Sequence, residues 1–302
     1  NGHIFWRGSK VGELEKGQKI LVPKVKLIKA GELEKGDLEK IQRKLDIFLE
    51  KKIKVLLPNL LNLATDHVFS GASAGLVHIF INNLGVIMKS EVMEQFKSID
   101  QENRAKLRNI GIRFGYKTIY DPMLLKPEAS KLRISLFNIF YASTKIKVFN
   151  PPPGLVTLDY DKHISKRQYL VAGFFVAGSR AIRVDMLERL YFLIKENLKD
   201  EWTVVQPSML SITGLGLENF AELIKSLRFE LKHEKVDNSD EAITFEKDGE
   251  RYKVLFRRQL PNKKVKKTQA SGSFKMTRQN IKKNKTKKID SPFSSLSVLF
   301  EN

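Results

Sequence analysis

The chain has 302 residues, 42% of them hydrophobic, and carries 54 Lys+Arg against 34 Asp+Glu, a net charge of +20. That length supports more than one packed unit, and the basic excess points to polyanionic partners, nucleic acid before acidic membranes. With no cysteine in the chain, disulfides, thiol nucleophiles and thiolate metal sites are excluded.

Residues 1–28 alternate and are punctuated by glycine, which predicts two or three short antiparallel strands with turns near Gly8 and Gly17. From Asp37 to about Leu57, Leu38, Ile41, Leu45, Phe48 and Leu49 recur at helical spacing, with Asp37 placed to cap and Pro58 to interrupt. Further helices are expected near 73–84, 90–97 and 100–109, and another after Pro127 through "EASKLRISLFNIFYAS". The prolines of "NPPPGL" (150–155) mark a boundary that neither helix nor sheet absorbs easily. Beyond it, "QYLVAGFFVAG" reads as a buried strand, and Asp185 with Glu188 as a capping box opening a helix.

The closing elements have a definite order. "PSMLSITG" forms a short helix ending at Gly214, "LENFAELIKSLRF" a second, and "FELKHEK" with "RYKVLFRR" a hairpin. That is the layout of a winged helix-turn-helix. Its second helix, however, offers Glu218, Asn219 and Glu222 where a groove-reading helix needs cations or amides, so packing or RNA contact fits better than duplex reading. After Leu260 the composition turns to lysine: residues 261–290 hold eleven Lys or Arg against Asp290 alone, half of the chain's net charge. Such a tail is expected to be disordered.

The expected fold class is therefore α+β and mostly helical. It comprises a small β-hairpin unit (1–30), a helical domain (31–149), a winged-helix-like domain (150–260) and a basic tail (261–302). Apolar runs of about ten residues fall short of the roughly 18 that a membrane span needs. No membrane association and a cytoplasmic setting are expected.

Few motifs carry chemistry. Gly71-Ala72-Ser73-Ala74-Gly75 fits G-x-S-x-G, yet residues 37–64 before it are helical, and a nucleophile elbow must crown a strand. A small-residue helix start is the better reading. No G-x-x-x-x-G-K-[ST] loop exists, "GLGLEN" (214–219) lacks the third glycine of a dinucleotide fingerprint, and the five histidines are scattered without metal-ligand spacing. In "GIRFGYKTIYDP" (111–122) a strand phase would put Phe114 and Tyr116 inward, leaving Arg113 and Lys117 to meet phosphate.

"AKLRNIGIRFGYKTIYDPMLLKPEASKLR" (105–133) resembles the region that follows the motor in alphaproteobacterial superfamily 2 RNA helicases, relatives of the mitochondrial degradosome helicase. "PPPGL", "VAGSRAIRVDMLERL", "SMLSITGLGLENFAELIKSLRF", the Phe5-Trp6 pair and the closing "SPF" are similar too, so the resemblance spans nearly the whole chain. Walker A, D-E-x-H and arginine-finger motifs are missing. The resemblance thus implies a C-terminal accessory region, with the motor and its ATP and magnesium upstream of Asn1, and neither cofactor nor catalytic residue here.

RNA is the expected partner, with DNA as an alternative and the helicase core as a further contact. The cations proposed to meet it are Arg104, Arg108, Arg113, Lys117, Lys126, Lys131 and Arg133, together with Lys263, Lys264, Lys266, Lys267, Lys282, Lys283, Lys285, Lys287 and Lys288. Two alternatives stand beside this reading: a winged-helix DNA-binding regulator and a non-catalytic assembly scaffold.

Overall fold

The computed structural model describes residues 2–28, 35–65, 68–141, 149–198, 202–236, 242–247 and 249–259. Residues up to Leu260 cluster as one compact unit. The fold is mixed α+β, with ten α-helices, two 3-10 turns and thirteen short strands among the described residues. The basic tail lies outside them, as does the tail's expected disorder.

The first sheet runs β1 (His3–Trp6), β2 (Ser9–Lys19) and β3 (Val22–Leu27), all antiparallel. Its second turn falls at Ile20–Leu21 rather than at Gly17, where β2 instead shifts register. The turn is apolar because it is buried: Ile20, Leu21 and Val25 join the core built by the helices that follow. The N-terminal strands therefore share a core rather than owning one.

Those helices are α1 (Lys35–Leu56), α2 (Pro58–Thr65) and α3 (Gly71–Asn82). Pro58 begins α2, where its missing N–H costs nothing. Leu49 and Ile53 are buried on α1 and Leu57 just past its end, whereas Phe48, expected inward, is exposed. Ser73 sits within the first turn of α3, its hydroxyl donating to Ser70 O at 2.7 Å. It is a helix-start serine with no strand beneath it.

Next come β4 (Val86–Met88), a 3-10 turn at Lys89–Val92, α4 (Met93–Ser98) and α5 (Gln101–Ile110). Asp100 caps α5 by accepting from Asn103 N at 2.6 Å, and Gly111 closes it in the left-handed region. A tight hairpin, β5 (Arg113–Phe114) and β6 (Thr118–Tyr120), pairs with β4 in the order β4–β6–β5. A second 3-10 turn (Pro122–Leu125) leads into α6 (Pro127–Tyr141).

After the prolines, β7 (Thr157–Asp159) precedes α7 (Lys166–Val171), β8 (Phe174–Ala177) and β9 (Arg180–Arg183), in the order β7–β9–β8. The run 168–178 is thus half helix and half strand. Ser165 and Gln168 form a reciprocal capping box that starts α7 before the apolar residues can extend. Ile134 of α6 packs with Phe149, Tyr169 and Phe174, so apolar packing continues across the proline segment.

The last group is α8 (Val184–Asn197), β10 (Thr203–Val204), α9 (Pro207–Thr213), α10 (Leu217–Ser226), β11 (Phe229–Lys235), β12 (Thr244–Lys247) and β13 (Glu250–Arg258). The sheet order is β10–β13–β11, with β12 also on β13. Leu187, Leu190, Ile194, Phe220, Leu223, Ile224 and Phe256 form its core.

Candidate nucleic-acid interface

The β5–β6 hairpin is built around a carboxylate from another element. Glu188, on α8, accepts from Lys117 N at 3.0 Å and Thr118 N at 2.7 Å. It also accepts from the Thr118 hydroxyl at 2.7 Å and from Tyr116 N. Three consecutive amides pointing at one anion make a backbone nest, a geometry that also binds phosphates. Here the chain's own carboxylate fills it. Glu188 is therefore no helix-capping residue; the N-cap of α8 is Arg183, and Asp185 pairs with that arginine at 2.7 Å. The approach also dictates Gly115, where a Cβ would lie 2.2 Å from the Glu188 carboxyl carbon.

With its backbone held, the turn projects Tyr116 outward. The residue is 51% exposed, contrary to the inward phase expected of a continuous strand. A turn at 115–117 breaks that phase, and Gly115 N bonds Thr118 O at 2.8 Å across it. The inner face of Tyr116 stacks on Tyr191 of α8 at 4.6 Å and 21°. Its hydroxyl accepts from Arg258 Nη2, at the end of β13, at 3.3 Å. Burial pushes the Tyr191 phenol well above its ordinary pKa, with the neighbouring Tyr116 and Glu188 adding to the effect. The residue stays neutral beneath its partner.

Cations collect around this turn. The Lys117 ammonium lies 5.8 Å and 5.5 Å from the Tyr116 and Tyr191 ring centres. Lys89 donates to Gly115 O at 3.2 Å and sits 4.4 Å from the Phe96 ring. Arg104 lies 4.6 Å from the same ring while bonding Phe96 O at 2.7 Å. Phe96 meets Phe114 at 5.5 Å, and Arg113 is exposed on β5. Cation–π contact fixes these side chains against rings and leaves their charge in place.

The structure thus places Arg113 and Lys117 on the hairpin, with Arg104 behind it against Phe96 of α4, and adds Lys89 and Arg258, which sequence reasoning missed because both come from distant segments. Arg108 is exposed in the last turn of α5. Lys126 is exposed before α6, and Lys131, exposed on α6, pairs with Glu128 at 3.1 Å. Arg133 is a correction: it is fully buried, donating to Leu84 O at 2.6 Å and Leu124 O at 2.9 Å. Burial lowers its pKa to about 9, with buried Asp121 acting in the opposite sense, so it remains a cation at neutral pH. It ties the ends of two elements together and cannot meet phosphate. The nine tail lysines named above lie outside the described residues.

The β8–β9 turn touches one side of the outward face of α10, where Asn219 and Glu222 stay exposed. Arg180 Nη2 donates to Asn219 Oδ1 at 3.0 Å, and Ser179 Oγ meets Glu222 Oε2 at 3.5 Å. Gly178, at φ 62°, lies so close that a Cβ would meet Ser226 Oγ at 2.2 Å.

Among the described residues no cluster of three or more His, Cys, Asp or Glu is arranged to hold a metal, and no helix is long and apolar enough to cross a membrane. Comparison with protein-family models, curated proteins and solved structures gave no match.

Proposed function

We propose that this chain is the RNA-binding accessory region of an ATP-dependent RNA helicase, with a winged-helix-like packing module and a motor located elsewhere. The observation that carries the reading is the convergence of Lys89, Lys117 and Arg258 on one hairpin whose first strand exposes Arg113. A net +20 makes phosphate the natural counter-charge. ATP and magnesium belong to the motor, and a cytoplasmic setting accompanies the reading.

The regulator alternative draws on one specific observation, the helix–strand–helix–helix–hairpin order with sheet β10–β13–β11. Against it stand the carboxylates of α10 and the β8–β9 turn seated on its outer face.

Fluorescence anisotropy with single-stranded RNA across about 50–200 mM salt tests the proposal. Replacing Arg113 and Lys117 with alanine is expected to weaken binding and make the log–log salt slope shallower by about 1.4, at roughly 0.7 per lost phosphate contact. Thermal unfolding should be little changed. Preferential competition by duplex DNA would favour the regulator instead.

A further inference from the structure

We propose that Tyr116 is a stacking platform for an unpaired base, so that the hairpin selects single-stranded RNA over duplex. The inference rests on the RNA-binding reading and assigns that site its substrate class.

The argument begins with rigidity. An exposed tyrosine ordinarily samples several rotamers, and fixing it on binding costs free energy. Here that cost is met in advance by three independent restraints. Glu188 holds the backbone amides of 116–118, Tyr191 supports one ring face, and Arg258 holds the hydroxyl. The residue remains 51% exposed while Tyr191 covers one ring face, so the opposite π-face is the one open to a ligand.

Charge then decides the occupant. Lys117 lies within 6 Å of the ring centre, Arg258 touches its hydroxyl, and Lys89 bonds the preceding residue's carbonyl. Cationic ligands, the other common guests of aromatic surfaces, are repelled. The nearest carboxylate, Glu188, is consumed by the amides it accepts. A ligand with a flat π-system beside a negative backbone fits both features, and that description is a nucleotide strand. In a duplex both base faces are already stacked, so use of the platform would require unstacking a base step. An unpaired strand carries no such penalty.

The test uses the full chain with fluorescein-labelled oligouridylate, oligoadenylate and an RNA duplex at about 0.1 M salt, where exposed charges are screened beyond roughly 10 Å. Tyr116→Leu is expected to bind single strands about tenfold more weakly with an unchanged salt slope, since stacking and not a phosphate contact is lost. Its duplex affinity should equal that of the parent. Tyr116→Trp should retain affinity within about twofold, and its added fluorescence should be quenched by oligoadenylate beyond the change seen from Trp6 and Trp202 in the parent. This second readout does not depend on the leucine variant folding. Full single-strand affinity in Tyr116→Leu, equal losses for both substrates, or no added quenching in Tyr116→Trp would overturn the platform. If Arg113→Ala/Lys117→Ala weakens binding while Tyr116→Leu does not, electrostatic RNA binding stands and the platform alone fails. If the parent binds no RNA, both fall.

Discussion

Glu188 and Gly115 show how one residue pair sets the position of the surface loop. The carboxylate satisfies amides that would otherwise be left without partners in a partly buried turn, and charge-assisted bonds of this kind are among the stronger ones. Glutamine in its place would aim an N–H at part of the nest. Glu188→Gln is therefore expected to destabilise the protein by about 2 kcal/mol in urea unfolding. Gly115→Ala should cost a similar amount, because its Cβ needs the space that the carboxylate occupies. The two effects should not add. In a Glu188→Ala background the Gly115→Ala penalty should shrink by at least about 1 kcal/mol, as expected for groups in contact. Additive losses would mean that the pair does not interact as described. Nothing in the spacing of "GIRFGYKTIYDP" announces this partner, because Glu188 lies 70–72 residues away in the chain. The cue at Asp185 and Glu188 was real but pointed to local capping, and the long-range bond took the glutamate instead.

At the scale of elements, the sequence was most legible where periodicity and caps agreed. α5 follows the expected 100–109 span because Asp100 and Gly111 punctuate both ends, and α9 stops at Gly214 as expected. α7 was missed because its apolar residues run straight into β8, although Ser165-x-x-Gln168 spelled its start. The Gly17 turn moved because buried Ile20 and Leu21 form the turn against the helical core, a tertiary preference that turn chemistry alone does not encode. The exposure of Tyr116 was hidden for a related reason: two-residue and three-residue strands are too short for their phase to be read. Element docking also separates the functional readings. With the β8–β9 turn on its outer face, α10 is expected to pack rather than read bases. Asn219→Ala combined with Glu222→Ala should change affinity for any nucleic acid by less than about twofold, whereas loss of a base contact would cost roughly 1–3 kcal/mol of discrimination. A gel-shift comparison of duplex DNA and single-stranded RNA distinguishes these outcomes, and a selective loss of duplex binding would restore α10 as a reader.

Over the whole molecule, the RNA-binding proposal gives charge and shape separable tasks. Half of the net +20 falls in residues 261–290, whereas Tyr116 and the cations around it lie before Leu260. Lysines in a low-complexity segment would neutralise phosphates without geometric preference, so they would add affinity to single strands and duplexes alike, each with the salt slope its own charge density sets. A fixed ring adds discrimination and almost no salt dependence. Every described element lies before Leu260, so removing residues 261–302 deletes none of them. The shortened chain is therefore expected to bind more weakly at about 0.1 M salt, with a log–log slope shallower by several units, at roughly 0.7 per phosphate released from a single strand. Its preference for single-stranded over duplex RNA should be preserved or should rise, because the non-selective contribution is gone. Titrations of both lengths against both substrates measure these quantities together. An unchanged slope would eliminate the tail as an electrostatic arm, and a preference lost with the tail would move substrate selection away from the hairpin.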